Sequence, residues 1–261
     1  MSTSAYHRPA SVAEAANLAA ADPEAKLLAG GQSILPSMKL GLLSPSAFID
    51  LGAIAELRGI RVTAQSVVIA AMTTHAEVAA STQIRAKLPA LAGLASGIGD
   101  AQVRNRGTIG GSLANSDPAA DYPAAVLGLD ASVHTNKRRL SADEFFKGLF
   151  ETALEPGELI TAVEFPIPAR AAYVKLAQPA SRFALVGVFV AQSPAGVRVA
   201  VTGAGPCAFR VHSLEDALKR KFAPEACDRV RISADGLNND LHGSAEYRAH
   251  LIPVLTRRAL Q

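Results

Sequence analysis

An α+β architecture is predicted for this chain by three observations. Beyond residue 168, strand-like runs come first and helix-like runs follow, where a strictly alternating fold would interleave them. Ahead of that point, short strands and helices are threaded through two glycine-bearing loops, Ala29-Gly30-Gly31-Gln32-Ser33 and Thr108-Ile109-Gly110-Gly111-Ser112. Between these regions, Pro166 and Pro168 mark the clearest boundary. A length of 261 residues allows one large domain or several small ones sharing a core.

The elements follow in order. Ser11-Val-Ala-Glu14 is a capping box that opens an alanine-rich helix, closed by Asp22-Pro23 because proline restricts the residue before it. Lys26-Leu27-Leu28 reads as a short strand leading into the first glycine loop, after which Ser33 is placed to cap a helix through about Leu40. Phe48 to Leu51, Leu57 to Val62 and Val67 to Ile69 read as strands. Thr74-His-Ala-Glu77 is a second capping box, and the segment to Ala95 is helical with a break at Pro89. The second glycine loop is entered through Gly97 to Gly107, of which Gly97-Ile98-Gly99 reads as a loop that lets the backbone approach a ligand or a neighbour, and it extends through Asp117-Pro118-Ala119-Ala120-Asp121. Tyr122 to Leu127 reads as a helix, Ala131 to His134 and Arg139-Leu140 as strands around a basic turn, Ser141 to about Gly148 as a short helix, and Leu159 to Phe165 as a strand. In the last third, Tyr173 to Lys175, Ala184 to Ala191 and Val197 to Val201 are predicted strands. Ser213 to Arg220, Pro224 to Arg231 and Ser244 to Leu260 are predicted helices.

Composition narrows the function. Hydrophobic residues at 49% and charged residues at 19% supply a core and carry no disorder signature. The longest apolar runs, such as Leu185 to Ala191, fall far short of the roughly 20 residues of a membrane span. No apolar leader segment follows Met1, and two cysteines supply neither a disulfide framework nor an iron–sulfur or zinc site, so a reducing cytoplasm is expected. A net charge of +3, with basic runs at Lys137-Arg138-Arg139 and Lys219-Arg220-Lys221 that lack interleaved aromatics, argues against nucleic-acid binding. The six histidines, His75 among them, show no metal-ligand spacing and read as surface or structural residues.

The two glycine loops carry the chemistry. Glycine lets consecutive backbone N–H groups turn toward an anion, and loops bearing hydroxyls, amides and a terminal acid suit a neutral grip on a pyrophosphate. Asp121 is then available to accept from ribose or adenine groups, whereas Asp117 serves either as a turn residue or as a ligand contact. Gly203-Ala-Gly205 follows a predicted strand, but no helix begins within the motif, so a dinucleotide fingerprint is rejected there. No Walker lysine follows any glycine run, and Ser33 and Ser112 have no evident histidine partner. Lys175, a single lysine in an apolar strand, is either a snorkelling edge residue or a group reaching the ligand from the third domain.

These two loops, together with Gln102 to Gly107, Asp117 to Asp121, Phe145-Phe146, Ala200 to Pro206 and Gly243 to Arg248, resemble the FAD-binding medium subunit of the molybdenum hydroxylases, the carbon monoxide dehydrogenase and xanthine dehydrogenase type. The resemblance covers nearly the whole chain. It implies a vanillyl-alcohol-oxidase (PCMH)-type fold, with two N-terminal α/β subdomains at 1–53 and 54–168 and a C-terminal α+β domain at 169–261. It also implies non-covalent FAD. Lys26, Leu27, Leu28, Ala29, Gly30, Gly31, Gln32 and Ser33, with Thr108, Ile109, Gly110, Gly111 and Ser112, would hold the adenosine diphosphate part, and Asp121 would bind on the ribityl–adenosine side. Ile98, Ile160 and Lys175 would lie near the isoalloxazine, with Val103 and Asn115 completing the set.

The activity so implied is electron transfer, and no catalytic acid or base is assigned to this chain. A large subunit would carry the molybdenum cofactor and a small one two [2Fe–2S] clusters, as a dimer of heterotrimers, and FAD would pass electrons to NAD+, a quinone or oxygen. The alternatives are a stand-alone FAD-dependent oxidoreductase of the same fold and a non-catalytic nucleotide-binding protein.

Overall fold

The computed structural model describes residues 4–261, so the first three residues of the stretch read for a leader lie outside the described residues. Three sheets of different connectivity follow one another along the chain. The first is parallel, ordered β1-β3-β2 with β1 (Ala5–His7), β2 (Lys26–Leu28) and β3 (Ala47–Asp50). Helix α1 (Val12–Ala21) and helix α2 (Ile34–Lys39) supply the crossovers that parallel strands need. β1 is an addition to the sequence reading: its three residues are all exposed, so no buried apolar alternation marks it. The Ser11 hydroxyl caps α1 through the Glu14 amide, but Glu14 reaches back to the Ala10 amide, one residue outside a standard capping box.

The second sheet is antiparallel, ordered β4-β5-β10-β6-β7: β4 (Ile60–Val62), β5 (Ser66–Ala70), β6 (Ser132–Thr135), β7 (Arg139–Ser141) and β10 (Ile160–Pro166). Between β7 and β10 a two-stranded ribbon of β8 (Phe146–Gly148) and β9 (Glu151–Thr152) replaces most of the helix expected to Gly148, leaving α9 (Ala142–Phe145). Leu57 lies in a 3-10 turn, not in the strand expected to begin there.

Between β5 and β6 lie the helices. Thr74 and Glu77 form the full capping box at the start of α3 (His75–Ala80); α4 (Thr82–Lys87) and α5 (Pro89–Ser96) meet at the expected break before Pro89, and a further break at Ser81 separates α3 from α4. The entry loop contains α6 (Ala101–Arg106), capped by Asp100. The second glycine loop itself is a helix, α7 (Ile109–Asn115), capped by Thr108 through the Gly111 amide; α8 (Tyr122–Gly128) follows. The expectation of an open loop at Thr108 to Ser112 is therefore corrected. The two glycines lower intrinsic helix propensity, and tertiary packing overrides it.

The third sheet, β11-β12-β13-β14, is an antiparallel meander of β11 (Arg170–Ala177), β12 (Ala184–Ser193), β13 (Gly196–Thr202) and β14 (Phe209–Arg210). Val186, Val188 and Val190 pack toward α10 (His212–Arg220) and α11 (Ala245–Ala259), while Phe189 and Ala191 join the core of the first two sheets. Period-two alternation with both faces covered explains why Leu185 to Ala191 is apolar throughout. The helix expected over Pro224 to Arg231 is only the 3-10 turn Pro224–Cys227.

Candidate binding cavity

Gly30 and Arg106 bring the two glycine motifs together. A Cβ on Gly30 would fall 2.1 Å from the Arg106 carbonyl oxygen, so only glycine permits the first loop to lie against the end of α6. The Ala29 Cβ would stand 3.5 Å from a Cβ on Gly111, which sets the first loop beside α7. Gly110 performs a different service: its amide donates to the Ala71 carbonyl at 2.9 Å, and a Cβ there would meet the Ala71 Cβ at 2.6 Å. Here, too, the backbone approach excludes a side chain.

Their backbone donors are not equivalent. In α7, Ile109 donates to Thr73 O, Gly111 to Thr108 Oγ1 and Ser112 to Thr108 O, so these amides are engaged within the protein. Among the described residues, the amides of Gly30, Gly31, Gln32 and Ser33 donate to no protein acceptor. These four consecutive unspent donors, on residues that line the cavity described next, are the groups an anion-binding nest uses. The Ser33 hydroxyl makes no capping bond to α2, contrary to the sequence expectation; its φ of −107° and ψ of −48° are not the extended conformation of an N-cap.

A cavity of about 500 Å³ opens between these motifs, within the roughly 300–1,000 Å³ typical of small-molecule and cofactor sites. Of the residues assigned from the sequence, Lys26, Leu27, Ala29, Gly30, Gly31, Gln32, Ser33, Ile98, Val103, Thr108, Gly110, Gly111, Ser112, Asn115, Asp121 and Ile160 line it. Leu28, Ile109 and Lys175 do not: Ile109 is buried in the core and Lys175 is turned away into an ion pair. The wall also includes Met72, His75, Leu154, Leu159 and the turn Ser181-Arg182-Phe183, which sequence reasoning missed. Capping geometry pointed to His75 only as a helix start, and the turn between β11 and β12 lies far from both glycine motifs in the chain.

Asp121 is committed to the protein. Its carboxylate is 4% exposed, meets Lys175 Nζ at 2.9 Å and accepts from the Tyr173 hydroxyl. Burial pushes its carboxyl upward, and the neighbouring Lys175 charge and Tyr173 hydroxyl pull against that. The ammonium also donates to Gly97 O at 3.0 Å and Arg182 O at 2.9 Å, which uses all three of its protons. Asp117, in contrast, accepts from the Ala119 amide in a turn and still faces the cavity, its carboxyl raised by burial.

Glu158, buried and also on the wall, is held by Arg138, Thr135 and the Glu155 amide. Burial alone would raise its carboxyl, but these donors bring it down to about 2. The charged groups on the wall are therefore Lys26 and Arg182 against Asp117, Asp121 and Glu158. Such a wall does not bind a diphosphate by bulk positive charge; its donors are neutral amides and hydroxyls. Its apolar part, with Leu27, Met72, Ile98, Leu154 and Leu159, suits a planar ring system. Free amides at one part and an apolar wall at another fit a flavin dinucleotide.

Residues 2–168 match the family described as the FAD binding domain in molybdopterin dehydrogenase. The chain is 38% identical to the carbon monoxide dehydrogenase medium chain of Hydrogenophaga pseudoflava, covering 98% of this chain and 95% of that one. It is 36% identical to the nicotine 6-hydroxylase medium subunit of Paenarthrobacter nicotinovorans, with the same shares covered. Among solved structures, quinoline 2-oxidoreductase from Pseudomonas putida 86 is similar with a TM-score of 0.88 and 31% identity, covering 99% of this chain and 95% of that chain.

Proposed function

Since the chain belongs to the FAD-binding medium subunits of the molybdenum hydroxylases, we propose that it takes electrons from [2Fe–2S] clusters of a small partner subunit and passes them to NAD+, a quinone or oxygen. A large partner subunit carries the molybdenum cofactor and the substrate pocket, and the assembly is a dimer of heterotrimers in the cytoplasm. The observation that carries the reading is the run of unspent amides at Gly30 to Ser33 on the wall of a cofactor-sized cavity.

Bound FAD supplies two-electron acceptance and release, chemistry that belongs to the cofactor. The protein's residues bind and orient. The amides of Gly30, Gly31, Gln32 and Ser33 hold the diphosphate, Thr108, Gly111 and Ser112 border it, and Asn115 and Asp117 meet the nucleoside side. Ile98, Val103 and Ile160 enclose the ring and exclude water. Lys175 acts from behind the wall by fixing Asp121 and the Arg182 carbonyl. On the same reading residues 1–53 and 54–168 are the two FAD-binding subdomains, and 169–261 is the C-terminal domain. The sheet boundaries at Asp50 and Pro166 support that division.

The test is purification from the native host, with molybdenum, iron and flavin assayed together. Co-elution of all three with this chain and two partners is the expected result. A chain that emerges alone with FAD and turns over a substrate would overturn the subunit assignment, and a chain with no flavin spectrum would overturn the cofactor.

A further inference from the structure

His75 lies where α3 begins, between the two glycine motifs. It is 5% exposed yet lines the cavity, and its backbone amide donates to Gly107 O at 3.0 Å. Nε2 lies beside Gly107, itself on the wall: a Cβ on Gly107 would come within 2.5 Å of that nitrogen. Behind it stands Tyr122, fully buried, with ring centroids 5.3 Å apart. Both His75 Nδ1 and the Tyr122 hydroxyl are buried without a protein hydrogen-bond partner. Two such atoms on a pair of neighbouring rings are costly, since each unpaired buried polar group forfeits its hydration. A core selected for stability alone would carry apolar side chains at both positions.

Resting on the FAD reading above, we propose that His75 is a binding residue of the dinucleotide site, a neutral imidazole that donates from Nε2–H to a phosphate oxygen while Nδ1 is held by Tyr122 through a bridging water. The donor directions are consistent along the whole chain. The Tyr122 hydroxyl donates to the water, the water donates to Nδ1, and the tautomer so fixed carries its proton on Nε2. A water between them would have two polar partners in a buried site, the circumstance in which internal water is retained. Burial, followed by the nearby Arg104 charge, lowers the imidazole to about 4, so it is uncharged at neutral pH. Its grip on phosphate then matches that of the free amides at Gly30 to Ser33, made by dipoles and not by net charge.

The experiment titrates FAD into the apo form of the full chain, read by flavin fluorescence, and records apo thermal unfolding in parallel. His75→Leu is expected to weaken FAD binding about tenfold or more, as for loss of a hydrogen bond to a charged group, without lowering the apo melting temperature. His75→Gln, which keeps an N–H donor, recovers most of that loss. Tyr122→Phe weakens binding by a smaller factor, and combined with His75→Leu it adds nothing further. If His75→Leu binds FAD like the wild type, or if affinity and apo stability fall together, the proposal is wrong while the FAD reading stands. Should His75→Leu fail to fold, wild-type affinity in both His75→Gln and Tyr122→Phe with no coupling between them overturns it equally. A wild-type chain that takes up no FAD overturns the reading and this inference together.

Discussion

Lys175 Nζ lies 2.9 Å from Asp121 Oδ1 in an ion pair that joins the C-terminal sheet to the wall of the FAD cavity. Lys175 is on β11 and Asp121 precedes α8, and both side chains are nearly removed from water, 12% and 4% exposed. The same stretch is held from β13: the Thr202 hydroxyl donates to Pro118 O and Ala120 O, and the Gly203 amide to Pro118 O. The cavity wall is therefore positioned from behind by a sheet that contributes only its Ser181-Arg182-Phe183 turn to the lining.

Breaking that pair from one side should be expensive. Lys175→Met leaves a buried carboxylate with Tyr173 as its one side-chain donor, and a loss of about 3–5 kcal/mol is expected. Lys175→Met combined with Asp121→Asn should cost clearly less than the two single losses added, because no orphaned charge is left. Urea denaturation of the three variants measures this. Additive losses would mean that the pair is not coupled.

The two kinds of glycine should respond oppositely to alanine. Gly30→Ala drives a methyl into the Arg106 backbone, which cannot rotate away, and about 1–3 kcal/mol of stability is expected to go with FAD affinity. A methyl on Gly93, inside α5, would meet nothing within 4 Å, and Gly93→Ala should be neutral or stabilising by up to about 1 kcal/mol. Thermal unfolding with and without FAD separates the two effects.

Glu158 makes a pH prediction. Its folded value of about 2 lies below the ordinary 4.5, so its contribution is complete above 4.5 and is lost as pH falls toward about 2. Because Arg138 is 40% exposed, solvent screens part of the pair. Glu158→Gln should therefore cost about 1–3 kcal/mol at pH 7 and progressively less at lower pH. Denaturation midpoints across that range give the answer; a constant difference would assign the loss to packing.

His75 shifts stability in the same direction, in a higher pH window. Its folded value of about 4 lies below the ordinary 6.5, so between them the unfolded chain binds a proton that the folded apo chain refuses. Stability contributed at this site should rise with pH across that window by up to about 1.4 kcal/mol per unit. His75→Leu should flatten that part of the profile, and an unchanged slope would place the imidazole in water.

Much of this molecule was readable one segment at a time. The capping box at Thr74, the strands around the basic turn at Arg138, the strand that ends at Pro166 and the α+β order of the last third all depend on short-range chemistry, which a sequence states directly. The two glycine motifs likewise announced a phosphate-bearing ligand, and sixteen of the nineteen residues that the family resemblance implied line one cavity. Tertiary structure alone decided how those motifs divide the work. Gly110 reads like a nest residue, yet its amide is spent on Ala71, and the donors that stay free are those of Gly30 to Ser33. Asp121 and Lys175 each read as a ligand group, yet they satisfy one another across a gap of 54 residues. His75 read as structural, yet it is buried on the cavity wall. The physical reason is the same in each case: a polar group's role depends on the surroundings that the fold brings to it, and for these groups the surroundings come from distant parts of the chain.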